Sequence, residues 1–250
     1  SDQLDRFLLP GAGVLGVRVH LHEAWRPIRS ADDYPAAVAE LLGEATAAAA
    51  LFTGHAKVDG RLSVQLRGQG ALRTLFAECT AAGTLRGIAR LADDTPVPAG
   101  RDLRQLGDDA LLAITIENPA LSGREPTRYQ GLVPLEADSL AGAFEDYFRQ
   151  SEQLPTRLLL AADHHRAAGL MLQKLPGDAG DADGWNRATA LFDTLAADEL
   201  LSLPASQLLR RLFHEEGVEV VGSRELGFGC SCSRERVAGM LQSLGPEEAR

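Results

Sequence analysis

The chain is poor in cysteine, with three in 250 residues, and poor in aromatics, which make up 5% of it. Three cysteines are too few, and odd in number, for the disulfide framework of a small secreted protein. With so few aromatics, a core has to be built from Leu, Val and Ala. Cations are also in deficit: 25 Lys and Arg face 35 Asp and Glu, a formal net charge of −10. That balance repels phosphate and argues against nucleic acid or an anionic membrane as a standing partner. No run approaches the roughly 18 consecutive apolar residues that read as a membrane span. The N-terminus, Ser1 to Phe7, lacks a basic segment followed by an apolar one, so no secretory signal is read there. Enzyme signatures are missing as well. No G-x-S-x-G occurs, and His22-Glu23 and His214-Glu215 both lack the second histidine of H-E-x-x-H. The adjacent His164 and His165 read as a hairpin turn.

What is present is a chain that is 45% hydrophobic, enough to bury a substantial core. Residues 1–175 read as a mixed sheet-and-helix domain. Leu4 to Leu9 and Val14 to Leu21 are strands joined by Pro10-Gly11-Ala12-Gly13, residues that supply turn dihedrals. From Tyr34-Pro35 to Phe52 the chain is apolar on nearly every face, the mark of a buried helix. Period-two alternation returns in Leu62, Val64 and Leu66. Further strands are expected at 72–79, 85–91, 110–116, 129–134, 157–162 and 168–174, with a helix at Leu140 to Ser151. Mostly strands with few helices predicts an α+β fold rather than regular βαβ repetition.

Pro176 to Gly184 combines Pro, Gly and acid with almost nothing to bury, the composition of a linker. Residues 176–228 therefore read as an acidic helical linker. Six acids between Asp178 and Glu199 face Arg187 alone, which marks a segment of low stability. Its Leu191, Phe192, Leu195, Leu200, Leu201 and Leu203 must nevertheless cover something. Helices are expected at Trp185 to Ala197 and Ala205 to His214. A short strand pair follows, Val218 to Val221 with Glu225 to Phe228, and then Cys230-Ser231-Cys232. Residues 229–250 read as the start of a further small domain, with a helix capped by Ser233 and striped by Val237, Met240, Leu241 and Leu244.

A C-x-C pair brings two sulfurs close enough to bind one ion, and structural zinc takes four ligands. Cys230 and Cys232 are half of that set, and neither Cys nor His follows them. The same spacing permits a strained, easily reversed disulfide. Thiolates held by zinc are the form that oxidants attack, so metal loss and oxidation would be coupled. A close thiol pair of this kind suits the reducing cytoplasm. From spacing alone, two incidental surface cysteines and a thiol-disulfide oxidoreductase stay open. Cys79 reads as a core thiol.

Several stretches carry a resemblance that covers essentially the whole chain. They include Val19-His20-Leu21-His22-Glu23-Ala24-Trp25-Arg26, Asp59-Gly60-Arg61-Leu62-Ser63-Val64-Gln65-Leu66-Arg67-Gly68 and Leu85-Arg86-Gly87-Ile88-Ala89-Arg90. Near the end stand Phe213-His214-Glu215-Glu216 and Cys230-Ser231-Cys232-Ser233-Arg234-Glu235-Arg236-Val237. The sequence resembles the Hsp33 family of redox-regulated chaperones. The resemblance implies a holdase, not an enzyme: a client-binding domain, a metastable linker and a C-terminal zinc domain that acts as a redox switch. It implies Zn2+ bound by Cys230 and Cys232 together with a later C-x-x-C pair, which is absent from this sequence. It also implies that oxidation releases zinc, pairs cysteines and unfolds the linker, that unfolding proteins are the clients, and that a homodimer forms on activation. Without the later pair, the chain is expected to protect clients from aggregation with no oxidant added. A light-scattering assay checks this; protection that depends wholly on peroxide contradicts it.

Overall fold

The structure is a computed structural model and describes residues 2–93, 96, 102–107 and 109–229. The expected hairpin is present as β1 (Gln3–Leu9) and β2 (Val14–Leu21), in register from Gln3 opposite His20 to Leu9 opposite Val14. Gly13 closes the turn at φ 66°, a left-handed conformation that glycine adopts without penalty. After a short helix α1 (Trp25–Arg29) comes the 20-residue helix α2 (Ala36–His55). Five strands follow: β3 (Arg61–Arg67), β4 (Leu72–Thr80), β5 (Thr84–Leu91), β6 (Leu111–Asn118) and β7 (Thr127–Val133). Helix α3 (Leu140–Tyr147) leads to β8 (Thr156–Ala162) and β9 (Ala167–Lys174). Three helices come next, α4 (Gly184–Phe192), α5 (Ala197–Ser202) and α6 (Ala205–Phe213), and then β10 (Glu219–Glu225) and β11 (Gly227–Phe228).

These strands form two sheets, in the orders β10-β1-β2-β9-β8 and β11-β5-β4-β3-β6-β7. Helix α2 lies between them and touches strands of both. This position explains its composition. Ala45, Ala47, Ala48, Ala49 and Ala50 are all fully buried, because only methyl-sized side chains let two sheets close on opposite sides of one helix. The one buried hydroxyl on it, Thr46, is satisfied by the Leu42 carbonyl at 2.7 Å. By length and composition α2 is the one helix among the described residues that could cross a membrane. It is instead the central core helix, 83% buried. Glu40, Glu44, Thr46 and Thr53 interrupt it, so it does not read as an unbroken apolar run.

The α+β class is as expected; several boundaries differ. The helix expected over Trp185 to Ala197 stops at Phe192, where the Leu195 N–H turns back to the Phe192 carbonyl. A new helix, α5, starts after Ala196, whose N–H is met by the Glu199 carboxylate at 3.3 Å. The helix from Leu140 is α-helical only to Tyr147; Phe148–Glu152 widens into a looser turn that ends at Gln153, φ 55°. Val218 to Val221 and Glu225 to Phe228 do not pair with each other. One strand, β10, runs straight through Gly222-Ser223 against the free edge of β1, while β11 joins β5 in parallel in the other sheet. The chain switches sheets at Leu226, which is buried in the core and donates its N–H to the Asp2 carbonyl at 3.1 Å. Helix α1 carries no local N-cap; the Asp2 carboxylate, over twenty residues upstream, accepts the N–H groups of His22, Glu23 and Ala24 at 2.7, 3.1 and 2.5 Å. The helix expected after Ser233 lies outside the described residues.

Ala48→Leu should force bulk into a helix that both sheets press upon, lowering unfolding free energy by about 1–3 kcal/mol. Urea denaturation monitored by circular dichroism checks it; an unchanged midpoint contradicts the packing argument.

Candidate functional site

The first sheet is apolar on both faces. One face meets α2 through Leu4, Val17, Val19, Leu21 and Met171. The other presents Phe7, Leu9, Val14, Ala168, Leu170 and Leu172, all 0% exposed. Helices α4, α5 and α6 cover this second face with Phe192, Leu200, Leu208, Leu212 and Phe213. The Phe7 and Phe213 rings lie 6.0 Å apart. A side chain at Gly16 would run into the Phe7 ring, so the glycine is what lets Phe7 lie across β2 to reach its partner. Burying each such Leu or Phe is worth about 1.5–3 kcal/mol. Here, then, is what the apolar residues of the acidic linker cover.

The cover is fastened by polar contacts along its length. The Leu175 and Asp181 N–H groups donate to the Gly13 and Gly11 carbonyls, both at 2.9 Å. Arg187, the cation noted in the sequence, grips Asp181 through two bonds of 2.7 Å and Glu216 through bonds of 2.8 and 3.1 Å. It therefore ties the start of α4 to the turn after α6. Arg157 on β8 meets Asp193 at 2.9 Å, and Arg211 meets Glu199 at 2.5 Å. Three of the six linker acids are thus paired, two of them by arginines outside the acidic stretch. Self-repulsion is correspondingly lower than composition implies.

Two residues unremarked in the sequence sit beneath the cover. Arg18 and His20 occupy alternate positions of β2, where Val17-Arg18-Val19-His20-Leu21 reads as an ordinary strand with a polar, wet face. The alternation is real, but helices bury that face. The Arg18 guanidinium, on a residue 3% exposed, donates to the Leu200 and Leu203 carbonyls, the former at 3.3 Å. His20 Nε2 donates to the Leu201 carbonyl at 2.8 Å. Burial pushes the Arg18 guanidinium down to about 10, against the pull of Asp5. Burial is also the main cause that holds His20 below its ordinary value; the Arg18 charge acts the same way, and the Leu201 carbonyl and Asp2 act against it.

Cys230 and Cys232 lie outside the described residues, immediately after a well-anchored strand. Gly227 and Gly229 donate their N–H groups to the Gly83 and Leu85 carbonyls, both at 2.9 Å. Cys79 is fully buried on β4, its thiol pushed up to about 11 by burial, which suits an inert core position. His214 is an exposed residue at the end of α6 with Nδ1 3.0 Å from the Arg210 carbonyl, and His164 and His165 sit in the β8–β9 turn. Among the described residues no three His, Cys, Asp or Glu side chains cluster so as to hold a metal.

Such an arrangement is an apolar sheet face covered by a layer of three short helices. The class these features define is an α+β protein with an internally shielded apolar face. A family model described as Hsp33 protein matches residues 2–250. The chain is 42% identical over 248 residues to the 33 kDa chaperonin of Chromobacterium violaceum, covering 99% of this chain and 82% of that protein. It is 44% identical over 254 residues to the 33 kDa chaperonin of Ectopseudomonas mendocina, covering 100% and 84%. The crystal structure of the 33 kDa chaperonin from Thermotoga maritima shares the fold, with a TM-score of 0.70 at 21% identity over 99% of this chain and 86% of that one. The chain belongs to the Hsp33 family and is a chaperone, not an enzyme.

Arg187→Gln should leave Asp181 and Glu216 without their shared cation and loosen the linker while the two-sheet core stays intact. Limited proteolysis should then cut within residues 176–216 faster, with no change in the main thermal transition. Acid should act in the same direction. Docked His20 takes a proton less readily than a released imidazole, whose ordinary value is 6.5. Its contribution to docking is fully present above that value and is lost as pH falls through the lowered docked value. Asp181, held below the usual carboxylate range chiefly by its hydrogen bonds from Arg187, adds the same sign at more acidic pH. Protection factors of the α5 and α6 amides, taken relative to the slower intrinsic exchange at lower pH, should fall from pH 7.5 to pH 5.5, and His20→Gln should flatten that dependence.

Proposed function

We propose that this chaperone is a redox-regulated holdase whose client-binding face is the linker-covered side of the first sheet. The observation that carries the reading is the double-sided sheet. One apolar face is filled by α2, whereas the other is closed by three short helices held through their own buried Leu and Phe, a few ion pairs and a few carbonyl contacts. Helices of six to nine residues do not persist undocked, and one side of the layer faces solvent, so this layer belongs to the low end of the molecule's stability range. Lifting it would uncover Phe7, Leu9, Val14, Leu170 and Leu172 together with the cover's own stripe. A contiguous apolar surface of that kind is what unfolding proteins adhere to.

Cys230 and Cys232 are the proposed switch. Bound zinc would keep both sulfurs as thiolates, and the pair would supply two of its four ligands. Oxidation joins two thiols in one disulfide: peroxide takes two electrons and two protons and leaves as two waters. Because β11 begins two residues after β10 ends and Cys230 stands two residues after β11, rearrangement at the pair would pull on β10 and the helices before it. Dimerisation on activation and a cytoplasmic location belong to the same proposal.

The test compares reduced and peroxide-treated protein. Some protection is expected before any oxidant is added; dye binding to exposed apolar surface should rise further on oxidation, and aggregation of heat-unfolding citrate synthase should fall further in parallel. Cys230→Ser/Cys232→Ser should remove the dependence on peroxide. Oxidation with no change in either signal refutes the proposal.

A further inference from the structure

Helix α5 ends in a way that leaves its carbonyls short of partners. A helix interior bonds each carbonyl to the N–H four residues on, and the last four carbonyls lack that partner. Here the shortage is compounded, because the residue four beyond Leu200 is Pro204, which has no N–H. Arg18 and His20 supply what is missing, reaching the carbonyls of Leu200, Leu201 and Leu203. Beside them runs a groove of about 450 Å³ bordered by Gln3, Asp5, Leu203, Pro204, Leu209 and Val220. The Arg18 Nε is buried and has no acceptor. Donor capacity is therefore left over. The two donors sit on β2, which is hydrogen-bonded to β1 on one side and β9 on the other, so they hold their positions whether or not the helices are in place.

We infer that Arg18 and His20 form a docking point for free backbone carbonyls of client chains, the position that α5 fills at rest. The inference rests on the reading that the linker-covered face binds clients, and it names what that face recognises beyond apolar area. Carbonyls without partners at a broken helix end are common to unfolding proteins whatever their sequence. A folded protein keeps such groups paired. A pair of donors set in an apolar floor thus selects for the unfolding state by its backbone, while Phe7, Leu170 and Leu172 take side chains without regard to identity. The resting linker is held by the contacts that a client later makes, so release and capture compete for one set of donors.

The experiment uses the full chain with its linker released by peroxide and a zinc chelator. The probe is a labelled peptide of residues 194–208, made once with normal amides and once with an ester in place of the amide after Leu201. An ester carbonyl is a weaker acceptor, and the side chains are unchanged. The ester peptide should bind the unsubstituted protein about threefold to tenfold more weakly, the range expected for the one hydrogen bond that the Leu201 carbonyl accepts from His20. On R18M/H20L the two peptides should bind alike, and unfolding citrate synthase should be held more weakly although dye still reports an open apolar face. Equal binding of both peptides to the unsubstituted protein overturns the inference and leaves the covered-face reading standing. If the double variant fails to fold, that comparison still decides. Should the released, unsubstituted protein hold neither peptide nor citrate synthase, the covered-face reading falls, and the inference with it.

Discussion

A sheet that is apolar on both faces cannot stand alone in water, and the rest of this molecule follows from that. β9 reads Ala-Ala-Gly-Leu-Met-Leu-Gln with every position buried, so both of its sides need a partner. On one side the partner is α2, itself clamped by a second sheet and reduced largely to alanine where the two sheets press on it. On the other side the partner is a set of three short helices with solvent beyond them. The two interfaces draw on the same hydrophobic effect but differ in what it would take to open them. Removing α2 would dismantle both sheets; lifting α4, α5 and α6 would leave both in place.

For the proposed release the covering layer has to be marginal, and its elements are short. Its helices are six to nine residues long, below the length at which a helix sustains itself, so they persist because they are docked. Their ion pairs are partly exposed, except that the Glu216 carboxylate held by Arg187 is largely buried. The buried polar contacts under them, from Arg18 and His20, are directional and satisfy carbonyls that Pro204 leaves open. Such contacts fix where the layer sits more than how tightly it is held, because exchange with water returns most of a hydrogen bond's energy on release. A chaperone gains from that division: a defined resting position with a shallow well. β10 adds a second constraint, since it completes the edge of the first sheet and delivers the chain, through Leu226 and β11, to the strand edge of the second.

Much of this was legible before any coordinates. Alternation in Leu62, Val64 and Leu66 marked β3, the Pro-Gly turn marked the first hairpin, and an all-round apolar segment marked α2. The stripe of Leu and Phe in an acidic segment required a surface to cover, and the resemblance in the last stretch pointed to the chaperone family. Other features were not legible, for identifiable reasons. Gly222-Ser223 has turn chemistry, but the vacant edge of β1 outweighed it and drew β10 straight. Trp185 to Ala197 has helical composition, but the Glu199 side chain on the Ala196 N–H started a new helix instead. Arg18 and His20 looked like the wet face of a strand because period two reports alternation, not what lies on either side.

The sequence by itself determined the α+β class, the core helix, the limits of the linker's acidic stretch and the family, because these depend on local periodicity, composition and direct similarity. Only the tertiary structure decided which surface the linker covers, which arginines hold its acids and which donors meet the carbonyls of α5. Apart from Arg187 with Asp181 and Arg211 with Glu199, those contacts join residues 29 to more than 180 positions apart, such as Arg18 with Leu200, and no local pattern records a partner at that distance.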